Sequence, residues 1–130
     1  MCELTEVNGR FIEGGPDIIV RVDARGVILS VSATCSFLGY EPKELVGKSG
    51  LEFVHPEDRV RFVENTVSVY HPEKPSSSNP RVHRFKRKDG SWAWLQGHPS
   101  LLTNFDKRNS EILNFFEPIS EEVAIKCLLR

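Results

Sequence analysis

What this chain lacks narrows its chemistry before any motif is considered. No apolar run approaches the roughly 18 residues of a membrane-spanning helix, and the N-terminus has no charged-then-apolar secretory pattern. Cysteine is sparse: Cys2, Cys35 and Cys127 have no CxxC spacing, which argues against a zinc site or a disulfide framework and fits reduced thiols in the nucleus or cytoplasm. Neither sign of charge dominates; the formal net charge of -1 gives no general pull toward nucleic acid or an anionic membrane. There is no nucleophile elbow, phosphate loop, HExxH or paired-carboxylate arrangement. No catalytic residue is assigned, and the chain is read as not being an enzyme.

At 130 residues the chain is one domain with one core. A hairpin is predicted from strand Asp17–Asp23, turn Ala24–Gly26 and strand Val27–Ser32, because β-branched residues dominate both arms. Short helical turns follow, one ending at Gly39 and another opened by Pro42 and ended at Gly47. The longest helix is predicted from about Pro56 to Tyr70, with Val60, Val63, Val67 and Tyr70 as its apolar stripe. After a Pro/Ser-rich loop over Pro72–Pro80 come strands Val82–Lys88, Ser91 to about Thr103, and Glu111–Glu117. The Asp89-Gly90 pair suits a two-residue hairpin turn between the first two of these, and the polar stretch Asn104–Ser110 joins the last two. Ser120 caps a short C-terminal helix. The order is α+β: an antiparallel sheet with helices segregated to one side. Residues 1–15 form an N-terminal cap or a tail, 16–118 the domain, and 119–130 a C-terminal helix or connector.

Four pieces in order carry a family resemblance. They are Asp23-Ala24-Arg25-Gly26-Val27-Ile28; Leu38-Gly39-Tyr40 with Glu44-Leu45 and Gly47; His55-Pro56-Glu57-Asp58; and the paired strands from Arg84 to Trp94. Together they resemble a PAS domain, most similar to the second PAS repeat of eukaryotic transcription regulators of the basic helix-loop-helix or white-collar type. The resemblance implies a PAS fold, a five-stranded antiparallel sheet with short helices on one face. It implies a sensory or interaction module within a larger signalling or transcription regulator. That module would form a homo- or heterodimer with another PAS domain or a coactivator through the sheet, and a small unknown ligand could tune the association. The alternative is a haem- or flavin-binding sensor. The light-sensing branch forms its flavin adduct through a cysteine, and Gly50 stands at that position here. The DNA-contacting basic helix of the transcription factors is absent from this sequence, so direct nucleic-acid binding has no support.

Candidate sites follow. Phe37, Leu51, Phe53, Val63, Leu95 and Phe115 are expected to line the ligand cavity. Trp92 and Trp94 share one strand face opposite Ala93 and Leu95, and serve either the core or a partner surface. Val123, Ile125 and Leu128 of the C-terminal helix either dock on the sheet or meet a partner. His55, His71, His83 and His98 could ligate haem, but none share chelate spacing, so no metal ligand is assigned and no cofactor is required. His55 more simply orders a helix start, and His83 and His98 could face water. The basic run Arg81, Arg84, Lys86, Arg87, Lys88 reads as a solvated face rather than a phosphate site.

Overall fold

A carboxylate sets the first long turn. In the computed structural model Asp23 Oδ1 accepts the N–H groups of Arg25 and Val27 at 2.8 and 3.0 Å, while Gly26 supplies φ 84°. The turn joins β3 (Ile18–Val22) to β4 (Ile28–Val31) in antiparallel register, Val20 opposite Val31. The described residues are 17–70, 80–102 and 110–129, together with the backbone of β1 (Glu6–Val7) and β2 (Arg10–Phe11). β1 and β2 pair across the Asn8-Gly9 step. The expected Pro72–Pro80 loop and Asn104–Ser110 connector lie outside the described residues save for their last positions, as does His71.

A 3₁₀ turn over Ala33–Leu38 ends at Gly39 with φ 89°, the left-handed stop anticipated there. α1 (Pro42–Leu45) opens on a proline and on a reciprocal cap between Glu41 and Glu44. Further 3₁₀ turns over Gly50–Phe53 and Pro56–Asp58 lead into α2 (Arg59–Val69). The single long helix expected from Pro56 is thus two pieces, and its predicted stripe faces inward at Val63, Val67 and Tyr70 but not at Val60. Val60 is 72% exposed, whereas Asn65 is buried and Phe62 packs on the core.

β5 (Val82–Lys86), β6 (Trp92–Leu102) and β7 (Glu111–Pro118) complete the sheet. Its order is β4-β3-β7-β6-β5, antiparallel at every pair. The β5–β6 connection departs from the expected two-residue turn. The Gly90 N–H reaches the Arg87 carbonyl at 3.0 Å and the Arg87 N–H reaches Ser91 at 2.7 Å. Three residues, Lys88 to Gly90, therefore span the bend, with Gly90 at φ 90°, the arrangement of a type I turn closed by a left-handed residue. Gly90→Ala is expected to cost about 1 kcal/mol in urea denaturation, since a Cβ meets no neighbour there and only the backbone conformation resists it.

One face of the sheet carries the main core, where Ile18, Ile28, Phe85, Ala93, Leu95 and Phe116 meet Cys35, Leu38 and Leu45 from the helical segment. On the opposite face sits α3 (Glu121–Leu128), capped by the Ser120 hydroxyl, with Ala124 and Cys127 packed on Val82, Ile119 and Trp94. Both sheet edges are tied to the helical segment. The His55 N–H donates to the Arg84 carbonyl and Val54 bridges Phe85 on the β5 side. On the β4 side Ile28 exchanges hydrogen bonds with Gly47 and Lys48. Cys35 is a free buried thiol.

Candidate functional site

The inward side chains of the sheet do not meet the helices everywhere. They leave a cavity of about 500 Å³, within the size range of small-molecule sites. Its walls are mostly apolar: Val20 and Val22 from β3, Phe85 and Leu95 from the β5–β6 pair, Ile112 and Phe116 from β7. Val63, Val67 and Tyr70 contribute from α2, and Tyr70 holds its hydroxyl buried without a partner.

Of the six predicted lining residues, Leu51, Phe53, Val63 and Leu95 line this space. Phe37 and Phe115 do not. In the 3₁₀ turn the three-residue period directs Cys35 and Leu38 inward together, leaving Phe37 beside them. Arg87 lies 4.6 Å over the Phe37 ring and donates to its carbonyl. In β7 the inward parity belongs to Ile112, Asn114 and Phe116, so Phe115 occupies the outer face beside Ile19 and His98.

The outer face also takes both tryptophans. Trp94 packs in the cluster under α3, with the Arg84 guanidinium 5.2 Å above its ring. Trp92 remains 40% exposed and stacks at 4.6 Å on His55. Within α3, Val123 packs toward the sheet, Leu128 is half-buried and Ile125 is exposed.

The basic run is largely engaged within the chain. Asp58 accepts from the Arg84 backbone N–H at 2.8 Å and from its side chain at 3.0 and 2.8 Å, while Arg61 lies 3.7 Å away. Burial pushes the Asp58 carboxyl up, but the Arg84 hydrogen bonds and both positive charges outweigh it and hold the group below its ordinary value. Lys88 pairs with Glu44. Sequence reasoning missed this network, although His-Pro-x-Asp at a helix start and an arginine on the neighbouring strand were both visible.

The described histidines are held by local contacts. His55 Nδ1 accepts the Glu57 N–H, ordering the helix start, and His98 Nε2 contacts the Glu117 carboxylate. His83, expected to be able to face water, is only 2% exposed. It shares the inward parity of Phe85 and is packed edge-on by Phe62. Burial, with the Arg61 and Arg81 charges, pushes its pKa down to about 3 against a smaller opposing pull from Asp58. No histidine is among the described residues lining the large cavity, and no metal-binding group of three occurs among the described residues. No helix in the described residues is long and apolar enough to cross a membrane.

An antiparallel sheet with short helices around an apolar cavity defines a small α+β domain with a ligand-sized core. The family model described as the PAS fold matches residues 28–114, and the chain belongs to that family. The PAS-B domain of Drosophila melanogaster Cycle, solved with bound ethylene glycol, is similar at 25% identity and TM-score 0.66, over 78% of this chain and 99% of that one. A tryptophan-to-alanine variant of that domain with bound glycerol matches to the same extent. A PAS domain from Colwellia psychrerythraea shares the fold, with TM-score 0.68 and 20% identity over 81% of this chain and 87% of that one. PAS domains are generally sensory or interaction modules rather than enzymes.

Proposed function

We propose that this chain is the PAS interaction module of a signalling or transcription regulator of the nucleus or cytoplasm. It associates with another PAS domain or a coactivator, as a homo- or heterodimer, through the outer face of its sheet, and a small molecule in the core tunes that association. The half-exposed indole of Trp92 on the outer face carries this reading: large amphipathic rings dominate protein interfaces, and further apolar side chains, Ile19 and Leu102, are left partly exposed elsewhere on the same face. The cavity supports the tuning role, as does the similarity to Cycle PAS-B, which was solved with ethylene glycol bound. A ligand acts on association only through its differential affinity for the associated and free states. In this reading the module requires neither a histidine-ligated haem nor a flavin adduct: no described histidine lines the cavity, and Gly50 stands where an adduct-forming thiol would be needed. It makes no direct contact with nucleic acid or membrane, since Arg84, Arg87 and Lys88 are engaged within the domain.

Light scattering over a concentration series tests the association. The native chain should self-associate, or bind a PAS partner, and Trp92→Ala should weaken that binding by about tenfold with no loss of folding stability beyond about 0.5 kcal/mol. A native chain that stays monomeric and ignores PAS partners would overturn the reading, as would a visible absorbance band in protein purified without added cofactor.

A further inference from the structure

One polar side chain stands on the inward face of the central strand. Asn114 of β7 lies between Val20 of β3 and Pro99 of β6, with Ile112 and Phe116 as its inward neighbours along the strand. Its oxygen end has a structural task. Asn114 Oδ1 accepts the His98 N–H at 3.1 Å, and an N–H can face only the oxygen of an amide, so the orientation of the group is fixed. That oxygen is turned toward β6, where a Cβ on Gly97 would meet it at 3.2 Å. The nitrogen branch therefore points away from β6, to the side where Val20 and Val22 of β3 wall the core cavity. Asn114 Nδ2 makes no hydrogen bond among the described residues, and it is not sealed off as the Tyr70 hydroxyl is.

The other polar groups along the cavity wall are committed or peripheral. The Cys35 thiol donates to the Tyr40 carbonyl at 3.3 Å, the Tyr40 hydroxyl to the Lys86 carbonyl at 3.1 Å, and the Thr66 hydroxyl to the Phe62 carbonyl at 2.9 Å. The Ser49 side chain accepts a backbone N–H of the turn it caps. The Arg25 side chain is 84% exposed and lies 3.7 Å from Asp23, and Lys86 is exposed. No carboxylate lines the space among the described residues. An apolar chamber of about 500 Å³ thus offers its occupant one uncommitted donor on the sheet.

That donor selects what binds. A cation would meet amide protons with no counter-charge, and an anion would lie in apolar surroundings while Arg25 and Lys86 extend into solvent; both carry a large desolvation cost. A hydrocarbon would strand the amide without a partner. A hydroxyl can accept from it but brings a proton that needs an acceptor of its own, whereas a carbonyl oxygen only accepts. We propose that the Asn114 amide anchors the ligand of this domain by donating to a carbonyl oxygen, so that the core accepts an uncharged, largely apolar ketone or ester. The inference rests on the reading that the core takes a small ligand, and adds the chemistry by which it is chosen.

Titration of the isotope-labelled chain with 2-acetylnaphthalene, 2-isopropenylnaphthalene and 2-naphthoate, followed by NMR, tests it. The three share a ring system and nearly the same outline, and differ in carrying a ketone, a methylene or a carboxylate at the branch. The ketone should shift the side-chain NH₂ resonances of Asn114, and the hydrocarbon should leave them in place. Asn114→Leu should weaken the ketone about tenfold relative to the hydrocarbon, the loss expected for one buried hydrogen bond. Should the ketone bind without moving the Asn114 amide, or the leucine variant weaken both neutral probes alike, the anchor would fall while the core remained a ligand site. Naphthoate binding more tightly than the ketone would overturn the uncharged class. Failure of all three to bind would overturn both the anchor and the ligand-tuned reading. If Asn114→Leu does not fold, the amide shift in the native chain decides.

Discussion

Replacing Asp58 by alanine is expected to destabilise the domain by about 3 kcal/mol or more, measured by urea unfolding. The carboxylate is buried and satisfies a backbone N–H and two side-chain donors of Arg84, so its removal strands those donors and leaves the partly buried guanidinium without its nearest counter-charge. Asp58→Asn should recover part of the loss by retaining an acceptor for the backbone N–H. The interaction also fastens the start of α2 to strand β5, so amide exchange across Arg59–Val69 should rise in the alanine variant. A loss below about 1 kcal/mol would show that the pair contributes no more than an exposed ion pair does.

Acidification should have the second large effect. A folded-state pKa near 3 at His83, against an ordinary 6.5, means that the unfolded chain takes up the proton more readily. The contribution from this group is therefore complete above 6.5 and falls away as pH drops toward 3. Between neutrality and about pH 5 the loss should be roughly 2 kcal/mol, the size expected from proton linkage over that span. Asp58 acts in the same direction but lower down, because its carboxyl is held below an ordinary 3.8 and becomes protonated only in stronger acid. His83→Gln separates the two, since stability should become nearly flat between pH 7 and 5 while the steep decline at lower pH persists. An unchanged slope in that variant would refute the assignment to His83.

The sequence patterns that proved legible were those enforced by backbone geometry. The β-branched residues of Ile18–Val22 and Ile28–Val31, and the residues that tolerate left-handed backbone at Gly39 and Gly90, led directly to strands, turns and their order. Face assignment failed where both faces are apolar. In β7 the run Ile112-Leu113-Asn114-Phe115-Phe116 gives no sign of which phenylalanine turns inward, because the outer face also carries apolar side chains. In α2 the stripe was legible at Val63, Val67 and Tyr70, which line the cavity, but Val60 is left in solvent while an inward position is taken by Asn65, whose polarity is hidden by Pro80 and His83. His83 could have been placed, as it lies two residues before Phe85 on the same parity. Its buried partners could not, because they come from α2 and join it only in three dimensions.

The covering of both sheet edges limits how copies of this domain can join. Among the described residues, the backbone of β5 is engaged by Val54 and His55, and that of β4 at Ile28 by Gly47 and Lys48, so neither edge offers its full ladder to an incoming strand. Assemblies must then form by face-on stacking, which closes after a defined number of subunits, whereas strand-by-strand addition could propagate into fibrils. Concentrated solutions should accordingly reach a finite oligomer and stay free of thioflavin-positive material.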